Sequence, residues 1–458
     1  MADEAMTPEQ RYEFGVSLRD KEPLDSHVEW GPPEQDRDPV QLIEEQNDGR
    51  LEWLVPVRRA RMSRSSFAFY RGSARIMASD LANSPVSGLQ TQICGDAHLA
   101  NFGAYASPER RLVFDLNDFD ETLPGPWEWD VKRLAASFMI ACRYNGLNHK
   151  NSRAITRQVV RGYGHAMHQL ANMRPLDIWY SLVEADKLVE SASSKKARKA
   201  GYKAINKAKG KNHKHVLDKL AEEQGGKLRI RSRPPLIVPL RDIPDPASRE
   251  ALQHTIMESY EEYLTRAPDE VEHHLKQYRV LDFAVKVVGV GSVGTRCFIL
   301  LMQGRDETDP FFMQIKQANA SVLEEFLGAS HYPSSGQRVV EGQKLMQTVS
   351  DLFLGWTANT SSGRHYYWRQ LKDWKASADV ENSDEAHLRS FAGHRAWTLA
   401  RAHARSGDPI AIAGYLGKDK TFERAITAFA ERYAKQNDRD YSAFTADIDS
   451  GKLDAAEL

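Results

Sequence analysis

The sequence is short of cysteine: Cys94, Cys142 and Cys297 are its only three. An odd number so widely spaced argues against a disulfide framework or a zinc ribbon, which need thiols paired at characteristic spacings. Charge of either sign is not in excess. Lysine and arginine number 62, aspartate and glutamate 63, and the formal net charge is -1, so no global field points to nucleic acid or an anionic membrane as partner. No apolar run approaches the ~20 residues that a membrane-spanning helix needs. The first residues, MADEAMTPEQRYEF, are polar and acidic and lack the basic-then-apolar order of a secretory signal. No internal repeat is evident. Together these absences point to a cytoplasmic protein without membrane contact.

What is present is an ordinary globular composition, 41% hydrophobic and 27% charged over 458 residues. At roughly 100–200 residues per domain, that length suggests two to four domains or lobes. Residues 1–50, rich in Asp, Glu and Pro, read as an N-terminal extension that wraps the surface. Residues 51–175 hold helical patterns around two short strands, 90–94 and 112–116. The periodicity predicts helices over 67–82, 130–144 and 152–173. Residues 176–245 read as a basic helical insertion and linker. Within them, 194–215 is either a solvated helix with Ala and Ile on its inner face or an anion-steering patch. Tyr202 is its sole aromatic residue, so base stacking, and with it nucleic acid, is disfavoured. Residues 246–375 are β-rich, with strands expected at 280–288, 295–302, 311–316 and 365–371 and a helix at 338–349. Residues 376–458 are expected to be mainly helical, at 388–404 and 422–435.

Three segments carry chemistry. The first is Gly95–Asn101, GDAHLAN. An Asp and an Asn five apart on a loop after a strand suit phosphoryl transfer: the carboxylate of Asp96 can take the proton of an acceptor hydroxyl, and the amide oxygen of Asn101 can ligate magnesium. His98 is a second candidate for proton transfer. The second segment is Val113–Glu121, VFDLNDFDE, a strand ending in Asp115, Asp118, Asp120 and Glu121. So many like charges together call for a compensating cation. The third is Gly289-Val290-Gly291-Ser292-Val293-Gly294. A dinucleotide-binding turn with this spacing would open a helix, but β-rich residues follow here. Strand, glycine turn, strand is the arrangement that covers phosphates in kinases, and a strand bearing a lysine should come next. Lys316 in FFMQIK supplies it. An acidic partner for that lysine is expected at Glu341, with Glu324 and Glu325 as alternatives.

FYRGSA, CGDAHLANFG, FDLNDFDE with GPWEWDVKRLA, VGVGSVGTRC, RVVEGQKLMQ and LARAHARSGD resemble the bacterial domain-of-unknown-function 2252 family over about residues 40–445. The loop and acidic motifs are also similar to those of aminoglycoside and choline kinases. That second resemblance implies Asp96 as catalytic base, Asn101 as metal ligand and Asp118 as second metal ligand, with Asp115 and Asp120 as alternatives. It further implies an α+β, bilobal, protein-kinase-like fold with a large helical lobe and a small antiparallel-sheet lobe. The glycine turn and Lys316 follow the catalytic loop instead of preceding it, so the fold would be circularly permuted.

The expected function is therefore an ATP- and magnesium-dependent phosphotransferase or nucleotidyl transferase. The expected site residues are Asp96 and His98 for catalysis; Gly289, Gly291, Ser292, Gly294, Lys316 and Glu341 for the nucleotide; and Asn101, Asp118 and Asp120 for the metal. A non-catalytic nucleotide sensor on the same scaffold is the alternative. A metallophosphoesterase, suggested by Gly-Asp-x-His, needs further His and Asn ligands that the sequence does not offer. The acceptor substrate is not specified by any motif.

Overall fold

A computed structural model of the chain describes residues 6–30, 37–190, 195–210, 213–359, 361–371, 374 and 376–457. The fold is α+β, with helices dominating and several small antiparallel sheets.

The helical body is organised on Trp127–Tyr144, in which every residue from Trp127 to Cys142 is buried. A helix buried on all sides must be apolar or have its charges matched, and this one carries Glu128, Asp130, Lys132 and Arg133 inward. Helices His149–Ala171 and Thr421–Asp449 pack on it, and Glu385–Ser406 runs along His149–Ala171. Trp127 stacks on Tyr163 with centroids 5.5 Å apart. The N-terminal helix Pro8–Ser17 lies on Pro409–Leu416, Leu24 joins the main core, and Val40 and Ile43 join a smaller one with Phe69 and Phe444. No helix among the described residues is long and apolar enough to cross a membrane.

The largest sheet has six antiparallel strands in the order Gly355–Asn359, Arg364–Gln370, Pro310–Ala318, Cys297–Gln303, Arg279–Lys286 and Ile237–Pro239. Cys297–Gln303 is central and wholly buried, as its continuous apolar run requires. Helix Ser335–Met346 lies across Pro310–Ala318, Arg364–Gln370 and Gly355–Asn359. The edge strand Ile237–Pro239 comes from the stretch read as insertion and linker. In that stretch Lys195–Lys209 is helical with Ile205 and Ala208 buried, which matches the inner apolar face expected of it.

Two smaller sheets set up the site. Gln90–Ile93 pairs with Leu123–Pro126. Phe102–Ala106 pairs with Leu112–Leu116 inside a four-stranded sheet completed by Ala376–Ser377 and Val183–Glu184. One strand of each pair enters, and the other leaves, the segments 94–101 and 117–122. Those segments therefore emerge side by side, joined by the Asn117 N–H donating to the Asn101 carbonyl at 2.9 Å.

Two expectations need correcting. The helix predicted over 67–82 is two helices, Ser66–Gly72 and Ala74–Leu81, broken where Ser73 adopts φ -110° and ψ 34°. The Ser73 hydroxyl turns back to the Tyr70 carbonyl at 3.0 Å, the local bond with which serine competes against helix. The last helix runs over Thr421–Asp449, well beyond 422–435, and its second half buries Asn437, Asp440 and Phe444.

Candidate active site

Gly95 opens the first loop at φ 75°, where a side chain would meet the Glu121 carbonyl at 2.6 Å, so only glycine fits. Both oxygens of Asp130, on the buried helix, accept the loop's N–H groups, from Cys94 at 2.8 Å and Gly95 at 3.0 Å. His403 Nε2 lies 3.2 Å from Asp130, and its Nδ1 faces the Tyr163 hydroxyl at 2.9 Å. Asp96 is held by Arg133, whose Nε and Nη2 approach one carboxylate oxygen at 2.7 and 2.6 Å. Burial pushes the Asp96 pKa up, against the lowering effect of Arg133.

His98 is buried and caps the short turn after it, its Nδ1 accepting from the Ala100 N–H at 3.2 Å. Its Nε2 sits 3.7 Å from Asp96. Burial, with Arg71 and Arg133 nearby, depresses its pKa well below the ordinary value. Both ring nitrogens thus face groups of the loop itself. The Asn101 side-chain amide donates to the Asp96 carbonyl at 2.8 Å, which leaves its amide oxygen available as a hard ligand.

The acidic turn divides by partner. Asp115 points away from the others, into a buried ion pair with Arg401, and accepts from the Thr348 N–H at 3.1 Å. Asp120 is gripped by Lys316, by the Tyr367 hydroxyl at 2.9 Å and by Ser292 Oγ at 3.2 Å. Lys316 and Tyr367 are cross-strand neighbours, so the sheet presents both to one carboxylate. Asp118 lies 3.9 Å from Lys316 and is the more open of the pair, its side chain 38% exposed against 23% for Asp120. Burial raises the Asp118 pKa, and the charge of Asp120 adds to that. For Asp120, burial is outweighed by Lys316 and its bonds, and its pKa falls below the ordinary value. Lys316 is raised well above its usual range, since the two aspartates outweigh its burial. Burial pushes Glu121 up to about 7.

Gly289 and Gly294 take φ 66° and 91° in the turn between Arg279–Lys286 and Cys297–Gln303. Three donors from the early chain hold this turn by its carbonyls. Arg61 binds Gly289 at 2.6 Å, Arg50 binds Val293 at 2.5 Å, and the Leu51 N–H binds Gly294 at 2.8 Å.

Glu341 does not meet Lys316; it lies 3.6 Å from Lys344, one turn along its own helix. Glu324 lies 3.4 Å from Arg338 Nε, and Glu325 pairs with Arg75. The residue of helix Ser335–Met346 that reaches the site is Arg338, which donates to the carbonyls of Thr122, Asp120 and Asn319 at 2.7, 2.9 and 2.8 Å.

Two cavities open on this constellation. One, of about 820 Å³, is lined by Asn101, Lys316, Arg369, Lys286, Arg61 and Gly289. The other, of about 580 Å³, is lined by Asp96, Asp120, Glu121 and Gly291. Arg71, Asp118 and Ser292 line both.

Asp130, Arg133, Arg338, Tyr367 and Arg71 are not found by motif reasoning alone. The signal for the first two lay in WEWDVKRLA, where charges interrupt a helix with apolar residues on every side. Such charges must face either water or a built polar site.

A family model described as an uncharacterised protein conserved in bacteria, DUF2252, matches residues 50–447. No curated protein and no solved structure matches the chain.

Proposed function

The chain belongs to the bacterial DUF2252 family, and we propose that it is a nucleotide-dependent phosphotransferase with a kinase-like site assembled in permuted chain order. The observation that carries this reading is the meeting of Lys316 with Asp118 and Asp120. A lysine on the strand after a glycine turn, and a carboxylate after a short strand, are the two groups that hold a magnesium nucleotide's phosphates in kinases. Strand, glycine turn, strand, lysine strand and packed helix follow one another from Arg279 to Met346, which supports the same arrangement.

In this reading the cavity of about 820 Å³ takes the nucleotide. Asn101 and Asp118 would hold magnesium. Among the described residues no group of three or more His, Cys, Asp or Glu could hold a metal ion. Magnesium bridging phosphates needs only one or two carboxylates and hard oxygens, so the residues present fit it. When bound, the ion neutralises phosphate charge. Lys316 exchanges part of its contact with Asp120 for a phosphate oxygen, the glycine turn covers the phosphates, and Asp96 accepts the proton of an acceptor hydroxyl.

Calorimetric titration with magnesium and ATP tests this. Lys316→Ala and Asp118→Ala should each weaken binding by about 1.5–3 kcal/mol, the value of a charge-assisted contact. Unchanged affinity in both variants overturns the proposal.

A nucleotide sensor without turnover is the second reading, favoured by the grip of Arg133 on Asp96, which occupies one of the two carboxylate oxygens. It predicts ATP affinity without consumption. Asp96→Asn separates the two readings, because it abolishes consumption only where there was some.

A further inference from the structure

The helix Ser66–Gly72 brings one arginine to the site that the scheme above does not use. Arg71 is largely buried, its Nε has no hydrogen-bond partner, and among the described residues it forms no ion pair. Three neighbouring cations are engaged: Arg133 with Asp96, Arg75 with Glu45 and Glu325, and Lys316 with Asp120. A buried N–H left without an acceptor is costly, Arg71 lines two open cavities, and the charges of Glu381, Asp96 and Asp118 reach it only at longer range.

Its position is specific. Arg71, Asp118 and Ser292 are the residues shared by the two cavities. The cavity with Lys316 and Asn101 lies on one side of this junction and the cavity with Asp96 on the other. The Arg71 backbone lies between the glycine turn and Arg133. A side chain on Gly291 would meet the Arg71 carbonyl at 3.3 Å, and the Tyr70 carbonyl accepts from Arg133 Nη2 at 2.8 Å, the same guanidinium that holds Asp96.

We infer that Arg71 grips the phosphoryl group as it passes between the cavities, a catalytic role that rests on the phosphotransferase reading. The cavity of about 580 Å³ is then the acceptor side. In the transfer, the acceptor oxygen forms a bond to the γ-phosphorus as the bond to the β,γ-bridging oxygen breaks. The nucleoside diphosphate leaves with that electron pair, and the acceptor proton goes to Asp96. Charge spreads over the equatorial oxygens of the moving group, where a planar guanidinium binds best.

The test uses the full chain, with calorimetry of magnesium ADP alone and with aluminium fluoride, which mimics the group in flight. Wild type should bind the fluoride complex at least about tenfold tighter than ADP alone. Arg71→Met should keep ADP affinity and lose that gain. Arg71→Lys, which keeps the charge without the fork, should recover only part of it. A full gain retained in Arg71→Met overturns the inference. So does an equal loss of ADP affinity with a lowered melting temperature in the free protein, which would mark Arg71 as structural. Wild type binding ADP without any gain from fluoride defeats the inference alone. Wild type binding neither ATP nor ADP defeats the phosphotransferase reading, and the inference with it.

Discussion

Lys316 and Asp120 form an ion pair from positions 196 residues apart. The pair joins the large sheet to the turn that follows Leu112–Leu116, and the Tyr367 hydroxyl occupies the second oxygen of the same carboxylate. Asp118 has no such grip and is the more open of the two, its side chain 38% exposed against 23% for Asp120.

The acidic turn should therefore separate by mutation. Asp115→Ala leaves Arg401 buried without its partner and should cost about 3–5 kcal/mol of stability, measured by urea unfolding. Its affinity for magnesium nucleotide should remain at the wild-type level. Asp118→Ala should behave in the opposite way, with stability retained and affinity lost. Equal effects of the two variants on affinity would place Asp115 in the metal site.

Glu128 makes stability depend on pH. Burial pushes its pKa from 4.5 up to about 7, despite the bond from the Ser87 N–H at 2.7 Å. The folded state therefore holds this proton more tightly than the unfolded chain does. The contribution is fully present below pH 4.5 and is lost as pH rises through about 7. At roughly 1.4 kcal/mol per unit the span is about 3 kcal/mol. Thermal melting from pH 4 to pH 8 should show Glu128→Gln losing less stability than wild type over that window. Parallel curves would refute the assignment.

Asp130 satisfies two backbone N–H groups at once, a buried one from Cys94 and a half-buried one from Gly95. Asp130→Ala should destabilise the chain by about 2–5 kcal/mol, since each unpaired buried donor costs about 1–3 kcal/mol. Hydrogen exchange should localise the effect to residues 94–101. Protection unchanged there would mean that the loop is held by other contacts.

The elements were largely readable from the sequence, because each is a local pattern. LVFDL and CFILLM are short apolar runs that form strands, and the acidic turn and glycine turn lie where they were expected. The break at Ser73 was not readable, because FAFYRGSARIMASDLA keeps helical spacing across it and propensity alone is a weak guide. The partner of Lys316 was not readable either. Any acid brought near a strand end can neutralise a lysine, and which one arrives is decided by sheet register and by packing between distant segments. The expectation of Glu341 assumed a helix aimed by its carboxylate, whereas that helix contributes Arg338. Asp130 looked like an ordinary acid in the first turn of a helix, and its service to a different loop exists only in three dimensions.

The three grips on the glycine turn, by Arg50, Leu51 and Arg61, have a mechanical consequence. The turn cannot lift independently of residues 50–61, so the exit rate of anything beneath it is set partly by how firmly that early segment is seated. For a nucleotide held as proposed, a tug on the N-terminal segment would become a change in residence time more than two hundred residues downstream.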